Sequence, residues 1–153
     1  MAIAPTAEYQ ELVMEVEFTA GSGTYTKVCG LTNITVSRSK NMAESMGPDC
    51  ADESLPHYIK RAAQSKDIGI SATGVWALTH HQKVYNWWNQ DLTLNVRVTN
   101  AKVTSDGVSG DTESEVIPMK LESLNNARQD KQVVSAEISL VQDGAVTLNT
   151  LSA

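Results

Sequence analysis

Leu92-Thr93-Leu94-Asn95-Val96-Arg97-Val98-Thr99 decides the fold class. Leu92, Leu94, Val96 and Val98 take one side of an extended chain, and Thr93, Asn95, Arg97 and Thr99 take the other. Strict period two is the mark of a strand with one buried face, because successive side chains of a strand point to opposite faces. Working outward, the same alternation recurs. Leu12, Met14, Val16 and Phe18 oppose Glu11, Glu15 and Glu17; Gly21-Ser22-Gly23 then breaks the chain, and Thr24 to Val28 reads as the returning arm of a hairpin. Ile34, Val36 and Arg38 alternate with Thr35, Ser37 and Ser39, and Ile68, Ile70, Ala72 and Trp76 alternate with Gly69, Ser71 and Thr73. Val134, Ala136, Ile138 and Leu140 continue the theme, with Val146 and Leu148 after an Asp143-Gly144 turn. The pattern specifies a mostly β domain whose sheets keep one face wet.

Two stretches depart from period two. Residues 79–90 read as a helix: Thr79 and Gln82 have capping-box spacing, and Val84, Trp87 and Trp88 fall at i, i+3 and i+4 on one face. The two tryptophans are expected to seal an edge or end of a sheet, with ligand stacking as the minority reading. Residues 40–66 read as a long connection, with a helical turn from Ser54 through Ala63. Charge is segregated within it: Glu44, Asp49, Asp52 and Glu53 come first, then Lys60, Arg61 and Lys66. Connections of this length in a small domain are usually functional. The segregation suits a docking arm whose acidic and basic halves meet neighbouring copies; the plainer alternative is two solvated charge runs. A third connection, residues 104–115, carries Asp106, Asp111, Glu113 and Glu115 with Gly107 and Gly110, and reads as exposed.

A chain of 153 residues fits one domain, 1–153, and can hold a core without staples. Twelve basic against eighteen acidic side chains leave a net charge of -6, which opposes gripping nucleic acid through its phosphates. Cys29 and Cys50 lack the spacing of a disulfide scaffold or zinc site and read as free, partly buried thiols in a reducing compartment. The start, Met1-Ala2-Ile3-Ala4-Pro5, has no basic region or apolar stretch of the secretory kind. No run approaches the ~18 apolar residues of a membrane span, so no membrane partner is expected. His80 and His81 are adjacent, about 100° apart on a helix, and His57 lies elsewhere, so no metal is expected. No phosphate-cradling loop and no catalytic constellation appears. The chain does not read as an enzyme and calls for no cofactor.

The order of elements resembles the phage major tail (tail tube) protein family. The opening Val28-Cys29-Gly30-Leu31-Thr32-Asn33-Ile34-Thr35-Val36 is similar to the Gly-Leu-then-strand start of that family, with Cys29 in place of a commoner small residue. Ser65-Lys66-Asp67-Ile68-Gly69-Ile70-Ser71-Ala72-Thr73-Gly74-Val75-Trp76 resembles its central strand. The helix with Tyr85-Asn86-Trp87-Trp88 and the strand from Leu92 to Thr99 follow in the expected order. Residues 120–124 and 130–144 are similar to its C-terminal hairpin, and the likeness runs over about residues 10 to 150.

The resemblance implies a β-sandwich or split barrel flanked by one helix. Six copies would form a ring, and rings would stack into a tube whose lumen passes DNA. The partners implied are the chain itself and the tape-measure, tail-terminator and baseplate proteins, with DNA only as transient cargo. Assembly would take place in the host cytoplasm, and the product would be part of the virion tail. A conduit must let phosphates slide, so an acidic or neutral wall serves better than a basic one; Glu15, Glu17 and Glu137 are the candidates to face the lumen, with outer solvent as the alternative of nearly equal weight. Glu44, Asp49, Asp52, Glu53, Lys60, Arg61 and Lys66 are the candidates for subunit contacts. The alternatives are the tube protein of a type VI secretion-like apparatus, which shares the fold, and a carbohydrate-binding or adhesive β-sandwich module with Trp76, Trp87 and Trp88 as a platform.

Overall fold

Alternation is realised as eight strands and one helix in a computed structural model, which describes residues 11–100, 103 and 108–150. In chain order they are β1 (Leu12–Val16), β2 (Thr26–Lys27), β3 (Leu31–Gly47), β4 (Tyr58–Val75), α1 (His81–Asn89), β5 (Thr93–Asn100), β6 (Thr112–Ala127), β7 (Ser135–Gln142) and β8 (Thr147–Thr150). All pairings are antiparallel, in the order β2-β1-β5-β6-β7-β4-β3, with β8 also on β6.

The long strand β6 joins the two halves. Its residues 114–120 pair with β5 along one edge, while the other edge takes β8 at residues 112–116 and β7 at 119–127. A register shift between Leu121 and Ser123 interrupts the β6–β7 pairing; such irregularities bend a strand and re-aim its side chains. Buried residues from β1, β4, β5, β6, β7 and α1 then form one cluster, including Met14, Val16, Ile70, Trp87, Val96, Ile117, Met119 and Leu140. The alternating residues of the sequence stand where period two puts them: Leu94, Val96 and Val98 are buried, and Thr93, Asn95, Arg97 and Thr99 are not.

A backbone close approach fixes where β3 begins. Gly30 adopts φ of 95°, its carbonyl accepts from the Val75 N–H at 2.9 Å, and a Cβ on Gly74 would lie 2.0 Å from that carbonyl oxygen. Glycine is required at both positions, the first for its φ and the second for its missing side chain.

The structure corrects four expectations. Residues 40–66 are no loop: β3 and β4 continue through them as a paired hairpin out to Gly47 opposite Tyr58, so Tyr58 to Ala63 is strand and not a helical turn. Neither face of this stretch meets the core, which is why it lacks a legible apolar period. The helix starts at His81 after His80, and no side chain caps it; Gln82 Nε2 instead donates to Asn86 Oδ1 at 3.0 Å. Of the two tryptophans only Trp87 is buried, 1% exposed, whereas Trp88 is 46% exposed, since neighbours on a helix point about 100° apart. In the acidic connection, Glu113 and Glu115 belong to β6, and Asp106 with Gly107 lies outside the described residues.

Candidate functional site

The outer part of β3 and β4 is a two-stranded arm. Beyond Gly69, which is the last β4 residue in register with β7, β4 has no partner but β3 among the described residues. None of the arm's residues from 37 to 67 belongs to the buried cluster. An isolated two-stranded ribbon is marginally stable in water and normally needs a third strand or a packed face. Met42, Met46 (73% exposed), Tyr58 and Ile59 stand on it uncovered.

Local contacts shape the arm. Arg61 Nε meets Glu44 Oε1 at 3.0 Å across the strands, and the Lys60 ammonium lies 5.9 Å from the Tyr58 ring. The Tyr58 ring covers Gly47 so closely that a Cβ there would come within 2.7 Å. At the tip, Asp49 Oδ1 accepts from the Ala51 N–H at 2.9 Å, and Asp52 Oδ1 accepts from the Ser54 N–H at 3.0 Å. Side-chain and backbone hydrogen bonds from Ser54 hold the Asp52 carboxyl below its ordinary value of 3.8. The tip is therefore a structured, anionic turn. Of the candidate contact residues, Glu44, Asp52, Glu53, Lys60, Arg61 and Lys66 are exposed, and Asp49 is half-buried.

At the foot of the arm a cleft of about 790 Å³ opens between the hairpin and β8. Met42, Ile68, Val146 and Leu148 form its apolar part, and Arg38, Lys40 and Lys66 its cationic part. Arg38 is held by Glu115. Lys40 and Lys66 are direct cross-strand partners.

The three lumen candidates separate. Glu137 is exposed on β7. Glu15 is bound to Arg97 at 2.9 Å, and the Arg97 guanidinium also lies 4.4 Å from the Tyr25 ring. Glu17 is 5% exposed and its Oε1 accepts from the Gly21 N–H at 2.8 Å. It does not stand on a wet strand face: β1 ends at Val16, so the alternation stops one residue short, and Glu17 braces the turn that follows. Tyr25 has its pKa raised above 10.0, first by burial and then by Glu17, with Arg97 acting in the opposite direction.

The outward face of β3, β4, β7 and the end of β6 was not visible in the sequence. Registration brings Thr35, Ser71, Ser139 and Ser123 into one row and Thr73, Glu137 and Asn125 into the next. Glu137 is the sole charge in these two rows, with Asp67 and Lys120 farther out on the same face. Period-two reading gave each strand's wet side, but only the register shows that the wet sides share this neutral character.

The tryptophans form no common platform. Trp87 packs edge-on to Phe18 at 6.5 Å, Trp76 edge-on to His81 at 6.1 Å, and Trp88 lies 6.1 Å from Tyr85. Cys29 and Cys50 are free, and both are exposed, correcting the expected partial burial. Among the described residues no group of three His, Cys, Asp or Glu side chains is disposed to hold a metal ion, and no helix is long and apolar enough to cross a membrane.

The phage tail tube protein family matches residues 7–148. The chain belongs to that family, and is a structural tail protein rather than an enzyme. No curated protein matches it in sequence. Its fold is that of a subunit from the tail of an empty gene transfer agent particle refined with C6 symmetry, at TM-score 0.76 and 14% identity, covering 94% of this chain and 99% of that one. The SPP1 tail tube matches at TM-score 0.69 and 11% identity over 97% of this chain and 81% of that one. A sheath-tube complex of an extracellular contractile injection system matches at TM-score 0.60 and 12% identity, over 96% and 93%. Family and fold favour the tail tube over the secretion-tube and carbohydrate-binding alternatives.

Proposed function

We propose that six copies of this chain, acting as one domain each, close into a ring, and that rings stack into a tail tube through which DNA passes. The observation that carries this reading is the arm. Among the described residues its apolar side chains are left about half exposed or more, and ribbons of this kind become stable when a neighbouring sheet or surface covers them. The arm, with Glu44, Asp49, Asp52, Glu53, Lys60, Arg61 and Lys66, docks between subunits.

The lumen wall is the neutral face of β3, β4, β7 and the end of β6, with Glu137 in it. Serine, threonine and asparagine side chains offer no fixed cation to hold a phosphate, and a carboxylate repels one. Glu15 and Glu17 are left out of this role because both are engaged within the subunit. The tape-measure, terminator and baseplate proteins of a tail are the further partners, and assembly takes place in the host cytoplasm. Negative-stain microscopy of the purified protein over a range of concentration and salt tests the reading. Rings or tubes are the expected result; a protein that stays monomeric throughout refutes it.

A further inference from the structure

We infer that the cleft at the foot of the arm is the receptor for the acidic arm tip of a second copy. This rests on the tail-tube reading above and adds which surface the arm enters.

Three observations carry it. First, Lys40 and Lys66 face each other directly across the two strands, an arrangement in which like charges destabilise a sheet. Neither has a carboxylate within ion-pair distance among the described residues. The same strands place Glu44 against Arg61 four rungs farther out, so this hairpin can pair opposite charges and at its foot does not.

Second, the two lysines continue the inward side of the sheet. Arg38 pairs with buried Ile68, and Val36 with buried Ile70, so the next step of period two puts Lys40 and Lys66 over Met42, Val146 and Leu148. Long lysine stems lie along such apolar surface and leave their ammonium groups at the mouth. Of the two carboxylates that also line the cleft, Glu115 holds Arg38, and Asp67, in register with Ser39, makes no ion pair with either lysine among the described residues.

Third, the complementary charge exists in the same chain but out of reach. Asp49, Asp52 and Glu53 stand at the tip with no Lys or Arg between residues 41 and 59. At about 3.4 Å per strand residue, Tyr58 is already about 27 Å from Lys66, more than three Debye lengths at physiological salt. Tip and foot can meet only between copies. The contact is head-to-tail, the kind that propagates from copy to copy.

Native Cys50 lies in the tip and is exposed, which permits a direct test. In a Cys29→Ser background, Lys40→Cys places a second thiol at the cleft mouth, and Lys66→Cys does so from the other strand. Oxidation of assembled tubes is expected to give a ladder of covalent multimers on a non-reducing gel. Copies lacking Cys50 but carrying Lys40→Cys, mixed with copies carrying Cys50 and Lys40, are expected to give dimers only. Separately, Glu53→Lys and Lys66→Glu are each expected to raise the concentration needed for tubes at least about tenfold, and the double variant to restore it to within about threefold. Tubes that form normally while both cleft thiols stay monomeric overturn this inference alone, as do tubes cross-linked only through Cys50 to Cys50. Failure of the unmodified protein to make rings or tubes overturns the tail-tube reading, and the inference with it.

Discussion

Replacing residues 40–66 by Asn-Gly, which joins the cross-strand partners Ser39 and Asp67 through a tight hairpin turn, should abolish assembly and leave the subunit folded. The buried cluster contains no residue between 37 and 67, so the cut removes no core packing. It removes one exposed ion pair, Glu44 with Arg61, worth about 0.2–1 kcal/mol, and a ribbon that is marginal by itself. It also shortens the terminal loop from residues 48–57 to two residues, a gain of about 1.4 kcal/mol at about 0.6 kcal/mol per halving. These terms nearly cancel, and the melting temperature should move by no more than about 4 °C. Assembly loses far more. Met42, Met46, Tyr58 and Ile59 are each roughly half exposed or more, and covering them contributes about 1 kcal/mol apiece. About 4 kcal/mol per contact is roughly a thousandfold in association constant. Circular dichroism melts, sedimentation and negative-stain microscopy on the same preparation read both halves. A variant that loses cooperative melting refutes the claim that the arm stands outside the core. A variant that forms tubes at the unmodified concentration refutes the claim that the arm docks.

The remaining predictions concern the core, the charge cluster and the lumen wall. Trp87→Ala should cost about 3–5 kcal/mol in urea unfolding, because it empties a site under α1 and removes the indole N–H bond to the Met119 carbonyl; Trp88→Ala, at an exposed position, should cost under about 1 kcal/mol. Tyr25 should ionise above 10.0 in a spectrophotometric titration, and Tyr25→Phe should delete that step. Its raised pKa makes the folded state the tighter proton binder, so the stability it adds is complete below pH 10.0 and fades as pH climbs through the raised value. Arg97→Gln removes the one influence that lowers this pKa and should push the step higher still. Glu137→Lys should leave tubes intact but cut DNA delivery at least about tenfold in low salt, with recovery in high salt, since the added cations hold phosphates only while unscreened; unchanged delivery would move the lumen to another face.

Where a strand has one face on the core, the sequence shows it, as Leu94, Val96 and Val98 do in β5 and Ile68, Ile70 and Ala72 in β4. The arm is illegible for the same reason. With both faces away from the core, Lys40, Met42, Glu44 and Met46 alternate with Asn41, Ala43 and Ser45, and no apolar period survives. Charge segregation did single the stretch out, because the placement of charges does not depend on a buried face. Glu17 lies one residue beyond the end of β1, where alternation no longer sets its direction, and the capping-box spacing of Thr79 and Gln82 is not realised because no side chain caps the helix. The Lys40–Lys66 pair and the neutral sheet face are properties of register, which joins residues too far apart in sequence for any local pattern to reveal.

The division of charge along the arm has a consequence for the kind of assembly it can build. Two arms lying antiparallel, tip to tip, would bring Asp49, Asp52 and Glu53 against their own copies and would close as a dimer, since an isologous contact uses itself up. Like charges at the tip oppose that arrangement. A tip entering another copy's foot leaves the first copy's foot and the second copy's tip open, so each addition creates the site for the next. The net charge of -6 is thus not spread evenly over a soluble surface: the tip is acidic, the foot is basic and the sheet face is close to neutral. Such a separation disfavours self-closing pairs and favours growth, which is what a tube of one subunit requires.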